Sequence, residues 1–101
     1  MLGLPKRIPF MTQAPQYPIR DVRRMLVVLG AIDALKPATL VKISELTGLD
    51  KKSVTTLIAR AQEQTGVVIR KTGPEYVVAD WGPVLKRSGC RMALAGAVGK
   101  L

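Results

Sequence analysis

Apolar residues recur at every third or fourth position from Val22 to Ala61, switch to short β-branched runs between Val67 and Val78, and then lose a clear period among glycines and alanines. Val22, Met25, Leu26, Leu29 and Ile32 mark one buried face of a first helix, with Asp21 as its N-cap and Pro37 stopping it at about Lys36. Gly30 inside that helix costs about 1 kcal/mol relative to Ala, and close approach by another helix would explain it. Thr39 caps a second helix running to about Thr47, with Leu40, Ile43 and Leu46 inward, and Gly48 ends it in the left-handed conformation. Leu49 fills the turn, and Asp50 caps a third helix from Lys51 to about Gln64, closed by Gly66, with Val54, Leu57, Ile58 and Ala61 as its apolar stripe.

Val67-Val68-Ile69-Arg70 and Glu75-Tyr76-Val77-Val78 read as two strands around a turn at Lys71-Thr72-Gly73-Pro74, whose tip carries Arg70 and Lys71. A lone hairpin is marginal in water, so it must pack on the helices. Trp81 is expected to fold back as a lid on the core, and Pro83 to open a last short helix from Val84 to about Ser88. The first eighteen residues, broken by Pro5, Pro9, Pro15 and Pro18, read as an extended or disordered arm. The glycine- and alanine-rich end from residue 86 reads as a frayed basic tail. The organisation is thus an arm over 1–18, a domain over 19–85 and a tail over 86–101, with Met11 as an alternative start.

With 101 residues the chain supports one modest core, and at 4% aromatic and 48% hydrophobic content that core is aliphatic. One cysteine, Cys90, and no histidine leave no usual zinc ligand set, and no other cofactor or small-molecule ligand is expected. A lone thiol fits a reducing compartment, and the apolar runs are too short for a signal peptide or a membrane span, so a cytoplasmic protein is expected. The formal charge of +9 is concentrated at the ends. Lys6, Arg7 and Arg20 face no acid in residues 1–20, nor do Lys86, Arg87, Arg91 and Lys100 in 86–101, whereas 21–85 holds nine basic residues against all seven acids. Charge therefore points toward a polyanionic partner less strongly than the total implies.

Helix, helix-turn-helix and hairpin in this order give an α+β, mostly helical fold: a three-helix bundle, a two-stranded β-hairpin and flexible basic termini. The segment Ile43-Ser44-Glu45-Leu46-Thr47-Gly48-Leu49-Asp50-Lys51-Lys52-Ser53-Val54, followed by Leu57-Ile58, resembles the winged helix-turn-helix of bacterial transcriptional regulators. It is closest to those of the isocitrate-lyase-regulator and multiple-antibiotic-resistance-regulator types. The resemblance covers about residues 21–79; Ser44 stands where those families usually have Ala, and the effector domain that follows in the first type is missing.

The resemblance implies sequence-specific binding of double-stranded DNA and a role as a small transcriptional regulator, possible as a homodimer on two half-sites. Its recognition helix would present Lys51, Lys52, Ser53, Thr55, Thr56 and Arg60, with the lysines at phosphates or guanine, the threonines at base edges and Arg60 on the flanking backbone. The wing would add Arg70, Lys71 and Thr72, with Glu75 opposing a close phosphate. Lys42, Arg23 and Arg24 are further phosphate candidates.

The competing function is a winged helix used as a protein-interaction or assembly module without specific DNA binding. An enzyme is not expected: Ser44, Ser53 and Cys90 lack an imidazole base, and no phosphate-binding glycine loop occurs. Lys86, Arg87 and Arg91 beside Cys90 would lower its pKa and suit a redox switch, against an incidental tail thiol. Met92-Ala93-Leu94-Ala95 after these cations could lie on a membrane surface, which Gly89, Gly96 and Gly99 disfavour.

Overall fold

The computed structural model describes residues 15–96. Its elements are helix α1 (Val22–Ala34), strand β1 (Ala38–Thr39), helices α2 (Leu40–Thr47) and α3 (Lys51–Thr65), strands β2 (Val68–Thr72) and β3 (Glu75–Asp80), and helix α4 (Arg87–Ala95). The expected caps are in place. Asp21, Thr39 and Asp50 each accept a backbone amide, from Arg23, Lys42 and Ser53. Gly48 and Gly66 close α2 and α3 with φ of 75° and 82°. Helix α1 ends at Ala34, with an extended Leu35 as its C-cap, two residues before the expected stop.

The apolar stripes converge on one core. Met25, Leu29 and Ile32 of α1, Ile43 of α2, Leu49 of the turn and Val54, Ile58 and Ala61 of α3 are buried together. Burial of each large aliphatic side chain contributes about 1.5–3 kcal/mol. Leu26, Leu40, Leu46, Leu57 and Trp81 are partly buried against this core, so Trp81 does fold back onto it. Val22 departs from the expected face and is 62% exposed, because it sits at the first turn of α1, beyond the edge of the bundle.

The α2–α3 turn is fastened by three side chains. The buried Thr47 hydroxyl donates to the Ile43 carbonyl at 2.7 Å and accepts the Leu49 amide at 3.3 Å. Ser44 donates its hydroxyl to the Leu49 carbonyl at 2.6 Å and so ties the helix to the turn. Gln16 donates to the Thr47 carbonyl from outside, at 2.9 Å.

The sheet has three antiparallel strands in the order β1-β3-β2, where only the hairpin was expected. Ala38 and Thr39 pair with Tyr76 and Glu75, anchoring β3 to the link between α1 and α2. Two residues are too few to show a strand period, so β1 exists only through its partner. At the hairpin, Thr72 faces Glu75 across Gly73-Pro74, and Gly73 has φ of 58°. A positive-φ glycine before proline suits a type II′ turn, whose twist matches that of the flanking strands.

The expected helix at Val84–Ser88 and the frayed tail after it are both corrected over the described residues. Helix α4 begins at Arg87, runs through Gly89 to Ala95, and ends at Gly96 with φ of 83°. It lies on α1 at Gly30, where an added Cβ would stand 2.5 Å from the Cys90 carbonyl oxygen. Gly30 therefore does mark the close approach of another helix. Cys90 and Ala93 are buried, Leu94 is half-buried, and the Tyr17 hydroxyl donates to the Ala93 carbonyl at 3.0 Å. Ala93 and Leu94 thus face α1 and Tyr17, while Met92 is exposed. Among the described residues no helix is long and apolar enough to cross a membrane. Of the arm expected over 1–18 and the tail expected over 86–101, residues 1–14 and 97–101 lie outside the described residues. Within the described part of the arm, Gln16 and Tyr17 are hydrogen-bonded to the domain at Thr47 and Ala93.

Candidate nucleic-acid interface

Helix α3 is held by one side and open on the other. Its inner row of Val54, Ile58 and Ala61 is fixed in the core, while Lys51, Lys52, Thr55, Thr56 and Arg60 are exposed. Ser53 is half-buried and is the one member of the expected set drawn into the helix cap. Its hydroxyl donates to Asp50 at 2.6 Å, and its amide donates to the other carboxylate oxygen at 3.1 Å. The hydroxyl bond, and then the amide bond, hold the Asp50 carboxyl below its ordinary pKa. Ser53 thus stabilises the cap, which weakens its assignment to a phosphate. Thr55 donates its hydroxyl to the Lys51 carbonyl at 2.9 Å, leaving lone pairs and its methyl group for a partner.

The exposed surface of α3 divides into two flanks. Lys52, Thr56 and Arg60, spaced four apart, run along an open groove of about 400 Å³ whose opposite wall is the start of α1, with Arg20 and Arg24. Lys51 and Thr55 are not among the groove residues and lie on the other flank. Glu63 is exposed in the last turns, so the positive character of α3 belongs to its first half.

Ion pairing sorts the remaining cations. Arg23 donates twice to the Asp21 carboxylate, from Nε at 2.9 Å and from a terminal nitrogen at 2.6 Å, and lies 4.5 Å from the centre of the Tyr17 ring. The Arg23 side-chain hydrogen bonds, helped by its backbone amide, bring the Asp21 carboxyl down to a pKa of about 2. Arg87 and Arg91 both donate to Asp33, at 3.1 and 2.7 Å. Burial opposes the Asp33 charge, but the hydrogen bonds from Arg91 and Arg87 outweigh it and its pKa is lowered. Arg23, a phosphate candidate from the sequence, is thus engaged by Asp21. Among the described residues no carboxylate pairs with Arg20, Arg24, Lys51, Lys52 or Arg60.

The hairpin set is brought together less tightly than expected. Arg70, Lys71 and Thr72 are all exposed but belong to β2, and the tip itself is Gly73-Pro74. Strand alternation places Arg70 and Thr72 on one face and Lys71 on the other, where Lys71 Nζ lies 5.6 Å from the centre of the Tyr76 ring. The hairpin is tied to α3 by the Ile69 amide, which donates to Gln62 at 3.0 Å. Lys42 is exposed on α2.

Cys90 is not a tail thiol. It is buried, and burial, then the nearby Asp33 charge, push its pKa up to about 11, the opposite of the expected direction. The two arginines expected to activate it instead bind Asp33. Sequence reasoning did not single out Arg20, which lines the groove. Its signal was weak: a lone arginine between the prolines and the first helix. No family model, curated protein or solved structure matches the chain.

Proposed function

We propose that α1, α2, α3 and the β2–β3 hairpin form a winged helix-turn-helix that binds double-stranded DNA, with α3 as the recognition helix and transcriptional regulation as its role. The observation that carries this is α3 itself, a helix anchored by one apolar row whose opposite side offers Lys51, Lys52, Thr55, Thr56 and Arg60 to solvent. A helix so mounted fits the major groove, with the residues of its N-terminal half reaching bases and phosphates. The fall of positive charge toward Glu63 agrees with entry by the N-terminal end. Helix α2 lies behind α3 across a turn locked by Ser44 and Thr47, which fixes the angle at which α3 is presented. In this reading Arg70 and Thr72 reach the flanking backbone from the outer face of the hairpin, and Lys71, over Tyr76, contributes less. Lys42 adds a phosphate contact from α2. The domain acts by binding, not catalysis.

The test is binding of the full chain to duplex DNA across a salt series. With about five phosphate contacts, log K should fall with log salt at a slope of about −4 to −5. Lys51→Ala with Lys52→Ala should weaken binding and reduce that slope by about 2. Unchanged affinity and slope in the double variant would remove α3 from the interface. Selection from random duplexes then separates the two functions raised by the sequence: an enriched palindrome indicates a dimer on DNA, and no enrichment favours a protein-contact module.

A further inference from the structure

We infer that the groove between the start of α1 and α3 seats the phosphodiester backbone of one DNA strand, with Arg20 and Arg24 as phosphate-binding residues beside Lys52 and Arg60. This rests on α3 being the DNA-binding helix and assigns a second element to the same interface.

The groove has the shape and the charge for a strand. It is accessible to solvent and about 400 Å³ in volume, and Lys52, Thr56 and Arg60 line it together. Each step of four residues advances about 6 Å, a spacing on the scale of successive phosphates. Arg20 and Arg24 face this row from the other wall, so cations flank the channel on both sides. The only acid in the lining is Asp21, whose carboxylate caps α1 and is held by Arg23.

Three local features set these arginines apart from ordinary surface cations. Arg24 is half-buried, and its Nε is covered without a hydrogen-bond partner among the described residues, which leaves the terminal nitrogens to meet a phosphate. Arg20 is the one described residue other than glycine with a positive φ, 74°. The Asp21 amide donates to the Pro18 carbonyl at 3.0 Å, so Arg20 is the third residue of a turn that calls for a positive φ and that fixes its place just before α1. The apolar Ile19 and Val22 also line the groove, 77% and 62% exposed. An isolated small anion would find little enclosure in so open a groove, whereas a polyanionic strand engages both walls at once.

The experiment measures binding of the full chain to a 20-base-pair duplex over a salt series, for wild type, Arg20→Asn, and Arg20→Asn with Arg24→Gln. Asn accepts the left-handed backbone at position 20, and Gln keeps much of the packed stem at position 24, with thermal midpoints as the folding check. Arg20→Asn should reduce the salt slope by about 1 and the double variant by about 2, weakening binding about 30-fold at 0.15 M salt. Ethylation interference should show phosphates on one strand that matter to wild type and not to the double variant. Wild-type affinity and slope in both variants, while Lys51→Ala with Lys52→Ala is impaired, would overturn the groove and leave α3 standing. Failure of the wild type to bind any duplex would overturn the DNA reading and the groove together. Loss of affinity to inorganic phosphate alone, with duplex binding unchanged, would also reject the strand as occupant.

Discussion

The α2–α3 turn and the α1–α4 contact are two helix-helix junctions built on opposite principles. The turn is local: Gly48 reverses the chain, Asp50 restarts it, and Leu49 buries a large side chain in the same core as Ile43 and Val54. Its polar fastenings, Ser44 to Leu49 and Thr47 to Ile43, span five and four residues. The α1–α4 contact joins residues about sixty apart and works through the absence of side-chain bulk. Gly30 lets the Cys90 carbonyl approach, while Cys90 and Ala93 bury small side chains against α1. Large, periodic apolar residues announce the first junction, and small residues conceal the second. The turn presents α3, while α4 brings Arg87 and Arg91 onto Asp33, which on the proposed function leaves them less available to DNA.

The sharpest way to break the contrast is Gly30→Ala. If Gly30 were merely a weak helix position, alanine would stabilise the protein by about 1 kcal/mol. The added Cβ instead meets backbone at Cys90, which no rotamer change can move. We expect a net loss of about 2 kcal/mol in urea unfolding, in the range of overpacked cores, with amide exchange quickening first in α4. A gain in stability would show that α4 docks elsewhere.

Ser44→Ala probes the local junction and should cost about 1 kcal/mol, the value of a partly buried hydrogen bond whose acceptor is left unmet. The loss should appear at Leu49 and Asp50 in exchange measurements, and DNA affinity should fall with the order of the turn. A neutral substitution would mean that apolar packing alone sets the angle between α2 and α3.

Asp33→Asn should have the smallest effect, about 0.5 kcal/mol, because both arginine partners are largely exposed and water screens the pairs. The folded-state pKa of Asp33 is lowered, so its contribution is fully present above the ordinary carboxylate pKa and is lost as pH falls through the lowered value. Subtracting the variant's acid unfolding curve from that of wild type should isolate this loss below about pH 4. A difference that persisted unchanged to the lowest pH would point to packing, not charge.

Sequence periodicity made the first three helices legible because each carries large aliphatic residues on one face, bounded by Asp21, Thr39 and Asp50 and stopped by Gly48 and Gly66. The hairpin was legible from its β-branched runs, but the strands extend through Thr72 and Asp80, so Arg70 and Lys71 are strand residues on opposite faces, not a tip pair. Strand β1 was invisible because two residues carry no period. Helix α4 was hidden by Gly89 and by a buried face made of Cys90 and Ala93, which reads as weak until α1 is set against it. For the candidate site, exposure of Lys51, Lys52, Thr55, Thr56 and Arg60 followed from the stripe opposite them. The competing bonds of Ser53 and Arg23 did not, since they depend on rotamers at a cap.

By itself, then, the sequence determined the order of α1, α2, α3 and the hairpin, and which side of α3 must face inward. Helical periods, caps and left-handed glycines are properties of neighbouring residues, and neighbours suffice to set them. Tertiary structure alone decided that Gly30 seats α4, that Cys90 is a buried thiol with a raised pKa, and which cations remain unpaired among the described residues. It also brought Arg20 and Arg24 opposite the Lys52–Arg60 row. Those outcomes depend on distances between residues tens of positions apart, which packing sets and no local pattern encodes.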